Sequence, residues 1–130
     1  MPHLVFEYTD NLGENADIRG LLEKASAVLR SRGGVFPTGG IRVRAIRLEE
    51  YLVADGSHPD DAFVHGRLQI GAGRSEAEKT AVCDALFAAM TEHFAGEFER
   101  RGLALSLEIS EFSEAGTWKK NNIHARYRKP

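Results

Sequence analysis

A lone cysteine has nothing to pair with. Cys83 is the single cysteine among 130 residues, so no internal disulfide can form. The fold then does not depend on an oxidising compartment, and a cytoplasmic location is the expectation. Long hydrophobic runs are missing as well. No stretch nears the roughly 20 apolar residues of a membrane span. The opening MPHLVFEYTD has no basic segment leading into an apolar core, so neither a membrane partner nor a secretory leader is expected. Charge of one sign is scarce: a formal net charge of -2 argues against a basic nucleic-acid binder. Lys119, Lys120, Arg126 and Arg128 make a basic tail, but without the interleaved aromatics on which bases stack.

Motifs that would announce other chemistries are also lacking. GAGRS at 71–75 has no third glycine for a dinucleotide and no Lys-Ser/Thr pair for a phosphate loop. No G-x-S-x-G nucleophile elbow occurs. His3, His58, His65, His93 and His124 are too scattered for a metal motif, so neither metal nor cofactor is expected. Cys83 falls within a helical pattern near its packed face, which suits a buried structural thiol better than a nucleophile. Finally, no Pro-rich or Ser/Gly-rich linker divides the chain, and residues 1–130 read as a single domain.

What is present is an ordinary globular composition, 42% hydrophobic and 28% charged, arranged as one pattern used twice. PHLVFEY (2–8) reads as a strand with Leu4, Phe6 and Tyr8 on one face. Ile18, Leu21, Leu22, Ala25, Val28 and Leu29 recur at helical spacing, and Gly33-Gly34 supply a stop. IRVRAIRL (41–48) alternates Ile41, Val43 and Ala45 against Arg42 and Arg44, a strand with one buried and one charged face. The second half repeats the order. AFVHGRLQI (62–70) is a strand, and Ser75 with Glu78 is a capping-box signature opening a helix to about Arg101. Its apolar stripe is Val82, Ala85, Leu86, Ala89, Phe94 and Phe98, and Gly102 ends it. LALSLEISEF (103–112) follows as a strand with Leu103, Leu105, Leu107 and Ile109 on one face. The predicted fold class is α/β of the α+β kind. Two fused β-α-β units form a four-stranded mixed sheet with both helices on one face. Strands apolar on both sides, as at Leu4 with Val5 and Phe63 with Val64, predict that the other face is covered by further subunits. Residues 117–130 are too short for a domain and are expected to add an edge strand around Ile123 to Tyr127, on this subunit or on a neighbour.

Candidate chemistry gathers at Pro2 and the arginines. Removal of Met1, which a proline at position 2 permits, exposes a secondary amine. An α-amine has a reference pKa of about 7.7 to 8.0, and neighbouring cations and desolvation lower it into the range of a neutral base at cellular pH. Arg42 and Arg44 share the polar face of their strand, and Arg47 follows. Arg74 lies between a glycine turn and a helix N-terminus. Guanidinium forks bind carboxylates bidentately, so Arg42, Arg44 and Arg74 are candidate substrate-binding residues. An exposed strand face accounts for Glu7, Glu108 and Glu111, though each could assist proton transfer.

MPHLVFEYTDNL, FPTGGIRVR, ADGSHPDDAFVHGRLQIGAGRS and KKNNIHARY, in this order and spacing from Pro2 to about Tyr127, resemble the 5-carboxymethyl-2-hydroxymuconate delta-isomerase family of the tautomerase superfamily. The resemblance implies a tautomerase-like homotrimer of fused β-α-β units and a cofactor-independent keto-enol isomerase. It further implies Pro2 as general base, with Arg42 and Arg74 as the residues that polarise or anchor the substrate. The implied substrate is the tricarboxylate dienol 5-carboxymethyl-2-hydroxymuconate, converted to its 2-oxo isomer in homoprotocatechuate degradation. Two alternatives remain: a proline-based tautomerase for a different enol acid, and a non-catalytic oligomeric binding protein on the same scaffold.

Overall fold

The computed structural model describes residues 1–32 and 34–128. Its sheet contains β1 (His3–Thr9), β2 (Arg42–Leu48), β3 (Ala62–Gly71) and β4 (Leu103–Phe112), in the order β2-β1-β3-β4. Strands β1 and β2 run parallel, as do β3 and β4, and β1 meets β3 antiparallel. This is the mixed sheet of two fused β-α-β units that the hydrophobic periods predict. Helix α1 (Ile18–Arg30) joins the first pair. Helices α2 (Glu76–His93) and α3 (Ala95–Arg100) join the second. Gly33, half of the expected helix stop, lies outside the described residues; α1 ends at Arg30, with the Ser31 N–H donating to Ala27 O.

The core shows that both helices cover the same face. Leu4 and Phe6 of β1 pair in register with Leu68 and Gly66 of β3. Leu4, Phe6 and Leu68 are fully buried in one cluster with Leu21 and Leu29 of α1 and with Val82, Leu86 and Met90 of α2. Residues of opposite parity (Val5, Arg44, His65 and Arg67) form the second face, which none of the described helices covers. Among the described residues no helix is long and apolar enough to cross a membrane.

The capping box is present as expected. The Glu78 N–H donates to Ser75 Oγ at 3.1 Å, and the Ser75 N–H donates to Glu78 Oε1 at 3.0 Å. Replacing Ser75 by alanine should cost about 1 kcal/mol, read as a lower urea midpoint at unchanged m-value.

Two expectations need correction. The second helix is not continuous to Arg101, because Phe94, at φ -99° and ψ 13°, breaks it. The following turn is thereby re-aimed: Glu97 is buried, ion-paired to Arg100 and Arg101, while Phe98 is 59% exposed and leaves the apolar stripe. Among the described residues the C-terminal segment forms no strand within this subunit. Its His124–Tyr127 stretch is a 3-10 turn, and Asn121 fixes the approach to it. The Asn121 side chain accepts from the Ile123 N–H at 2.6 Å and donates to Gly39 O at 2.9 Å, and this pins the segment across the loop before β2.

Candidate active site

Sheet direction decides which loops meet. Because β1 and β2 are parallel, both begin at one end of the sheet, and β3 and β4 finish there. The amino terminus, the TGG turn (38–40), the Gly71–Arg74 loop and the chain after Phe112 therefore converge. HPDDA (58–62) precedes β3 and lies at the opposite end, held by Asn11, which donates to Pro59 O and Asp61 O. At the convergent end a cavity of about 320 Å³ is lined by Met1, Pro37, Gly40, Arg74, Glu114, Lys119, Asn121 and His124.

Arg74 forms its fixed wall. Its Nη1 donates to Gly71 O at 2.9 Å and its Nη2 to Val35 O at 2.7 Å. The guanidinium carbon stacks 5.2 Å from the centroid of the buried Phe36 ring. Those two bonds use two of five guanidinium N–H groups and leave the fork pre-oriented for an anion. Arg42 is held similarly, with Nη1 donating to Gly39 O and Ile41 O, each at 3.0 Å, and its backbone N–H donating to Pro2 O at 3.0 Å. It stands at the margin of the cavity rather than in its lining.

Close packing closes the floor. A Cβ on Gly39 would lie 2.7 Å from His124 Cα, so only glycine lets the C-terminal segment approach this turn. A Cβ on Gly40 would meet His124 Cε1 at 3.3 Å and Met1 Cα at 3.5 Å, so the amino-terminal residue itself fills part of the cavity.

The electrostatics favour a neutral amine. The amino terminus is held below the ordinary α-amine value of 8.0, first by burial and then by the charges of Arg74, Lys119 and Arg42, with Glu114 opposing them. Beside it His3 is likewise held low, by burial and by Arg44 and Arg42. Arg74, Lys119 and Arg42 therefore work against protonation of the amino terminus.

Of the candidates read from sequence, Arg74 lines the cavity, while Pro2, buried at the head of β1, and Arg42 stand beside it, bonded to each other through the Arg42 N–H and Pro2 O. Arg44 does not join them. It is exposed on the uncovered sheet face, its Nη1 3.2 Å from His3 Nδ1. Glu108 and Glu111 are engaged elsewhere, by His65 and Lys79. The Cys83 thiol is pushed up by burial and by Asp84, away from thiolate chemistry. Among the described residues no group of three or more His, Cys, Asp or Glu side chains converges on a metal position. Pro37, Glu114, Lys119, Asn121 and His124 line the cavity without having been singled out for a site. The string KKNNIHARY was the signal that held three of them, while Glu114 had none.

The family model described as 5-carboxymethyl-2-hydroxymuconate isomerase matches residues 2–127. The chain is 42% identical over 128 residues to the 5-carboxymethyl-2-hydroxymuconate Delta-isomerase of Escherichia coli, covering 98% of this chain and 100% of that one. The crystal structure of a 5-carboxymethyl-2-hydroxymuconate isomerase from Deinococcus radiodurans R1 is 68% identical with a TM-score of 0.95, covering 98% and 95% of the two chains. A wild-type fused 4-OT symmetric trimer shares the fold alone, at 15% identity and a TM-score of 0.62 over 91% of this chain and 93% of that one.

Proposed function

The chain belongs to the 5-carboxymethyl-2-hydroxymuconate isomerase family, and from that premise we propose that it isomerises 5-carboxymethyl-2-hydroxymuconate to the 2-oxo form, with the amine of Pro2 as base. The observation that carries this reading is the siting of the Met1 amine against the cavity, where burial first and then Arg74, Lys119 and Arg42 hold its pKa below the ordinary value, one residue from the Pro2 nitrogen. Removal of Met1 moves the amine one residue, about 3.8 Å, along the chain and vacates the part of the cavity that Met1 lines. The neutral Pro2 nitrogen takes the 2-hydroxyl proton. The electron pair released forms the C2 carbonyl, the C2–C3 double bond moves to C3–C4, and the C4–C5 double bond opens so that its electron pair takes the proton from the prolinium at C5. Atoms and charge balance without a cofactor. Arg42 or Arg74 stabilises negative charge on the 2-oxygen, and the other anchors a carboxylate. Arg44 contributes at longer range, through His3.

We read the working form as a homotrimer in the cytoplasm, serving aromatic catabolism through homoprotocatechuate. Assembly is supported by the uncovered sheet face with its half-exposed Ile46, and by an apolar hollow of about 450 Å³ beside the edge strand β4, lined by Phe87, Phe98 and Leu105. The test is the ultraviolet absorbance of 5-carboxymethyl-2-hydroxymuconate mixed with protein whose intact mass shows loss of Met1. Rapid conversion supports the reading. No conversion by correctly processed protein rejects it.

A further inference from the structure

Resting on that reading, we propose that Lys119 determines specificity by binding the third carboxylate of the substrate, the one on the 5-carboxymethyl arm. A dienol with three carboxylates calls for three cationic partners. Two cations at this end, Arg74 and Arg42, are tied to backbone carbonyls: Val35 and Gly71 for one, Gly39 and Ile41 for the other. Their positions are set by the fold. Lys119 is held differently. Its Nζ lies 3.1 Å from Glu114 Oε2 and 3.3 Å from Glu114 Oε1, and its side chain is 40% exposed at the wall of the cavity.

Glu114 is itself placed as a carboxylate would be. A Cβ built on Gly71 would lie 3.3 Å from Glu114 Oε1 and 3.3 Å from Arg74 Nη1, so carboxylate and guanidinium straddle one glycine. The same carboxylate is the acidic group acting on the amino terminus. Glu114 thus serves, from within the chain, as the carboxylate partner of Lys119 at the cavity wall, close to Arg74. An exposed lysine–carboxylate pair is a weak interaction that an incoming carboxylate can exchange with, since the lysine ammonium is a flexible point charge. The third substrate carboxylate takes Lys119 from Glu114, and a substrate without the carboxymethyl arm leaves the pair intact. Glu114 acts here as a positioning residue.

The experiment uses Lys119→Gln and Lys119→Arg beside the parent, all lacking Met1. Turnover is measured on 5-carboxymethyl-2-hydroxymuconate and on 2-hydroxymuconate, the same dienol without the arm. Calorimetry with propane-1,2,3-tricarboxylate and pentanedioate reads binding independently of any turnover. The ratio of kcat/KM, tricarboxylate over dicarboxylate, should fall about 30-fold in Lys119→Gln, as expected for loss of one charge-assisted hydrogen bond. Most of that loss should appear in KM, and Lys119→Arg should restore the ratio. The binding preference of the parent for the tricarboxylate should disappear in the same variant. Glu114→Gln should tighten tricarboxylate binding by removing its internal competitor. Equal losses on both dienols, or a tricarboxylate preference that survives Lys119→Gln, overturns the assignment. If the parent isomerises neither dienol yet loses its tricarboxylate preference in Lys119→Gln, the isomerase reading fails while the carboxylate site stands.

Discussion

Replacing Pro2 by alanine in the processed chain should lower kcat/KM on 5-carboxymethyl-2-hydroxymuconate by about a hundred- to ten-thousand-fold, the usual contribution of a positioned general base. The alanine amine is primary, and its φ is no longer fixed by a pyrrolidine ring, so its lone pair is not held toward the substrate. The fold should be indifferent to the change. What Pro2 supplies to the sheet is its carbonyl, which accepts from the Arg42 N–H at 3.0 Å, and alanine supplies the same group. Steady-state kinetics beside a thermal melt separate the two effects. A large kinetic loss at unchanged Tm is the expected pattern, and unchanged kcat/KM would remove Pro2 from the mechanism.

The second large effect is expected at Arg74. Its loss to alanine removes a fixed cationic fork from the cavity wall and should cost about 2 to 4 kcal/mol of transition-state stabilisation, roughly 30- to 1,000-fold in kcat/KM. Lysine at this position keeps the charge but cannot donate to Val35 O and Gly71 O together while lying flat on Phe36, so recovery by Arg74→Lys should be only about tenfold. The alanine variant should also shift the pH profile. Arg74 is the foremost charge holding the Met1 amine down, after burial, and if it acts in the same way on the Pro2 amine one residue on, the ammonium form is less disfavoured without it. The amine pKa rises, and the acid limb of kcat/KM moves to higher pH. A profile that stays in place while activity falls would assign Arg74 to substrate binding alone.

Much of the fold was legible because two periods carry it. Alternation in 41–48 and 103–112 and the three- and four-residue spacing from Ile18 to Leu29 follow directly from which side chains must reach a shared core. The misreading in the second helix has a local cause. Phe94 and Phe98 stand at helical spacing, but the break at Phe94 turns Glu97 inward in place of Phe98, and the one local signal, Gly96 two residues on, does not place the break at Phe94. The candidate site was legible where it rests on strand ends. Pro2 and Arg42 begin parallel neighbours, and Arg74 follows the antiparallel strand that finishes beside them. Arg44 shows the limit of alternation, which places it on the same face as Arg42 but not at the same end: two residues along a strand is about 6.6 Å, enough to leave the cavity. Glu114, Lys119, Asn121 and His124 come from an aperiodic segment. Tertiary bonds such as Asn121 to Gly39 O position it, and no pattern local to the segment encodes them.

The central claim is that the catalytic base is the Pro2 amine, kept neutral by its cationic cavity. Its most direct test is a pH titration of the 15N-labelled proline amine by NMR, set against the pH dependence of kcat/KM measured on the same sample. The account predicts one shared midpoint, below 8.0, with activity lost as the amine gains its proton. An amine that titrates at or above 8.0, or a rate that falls at a different pH from the amine, would contradict it.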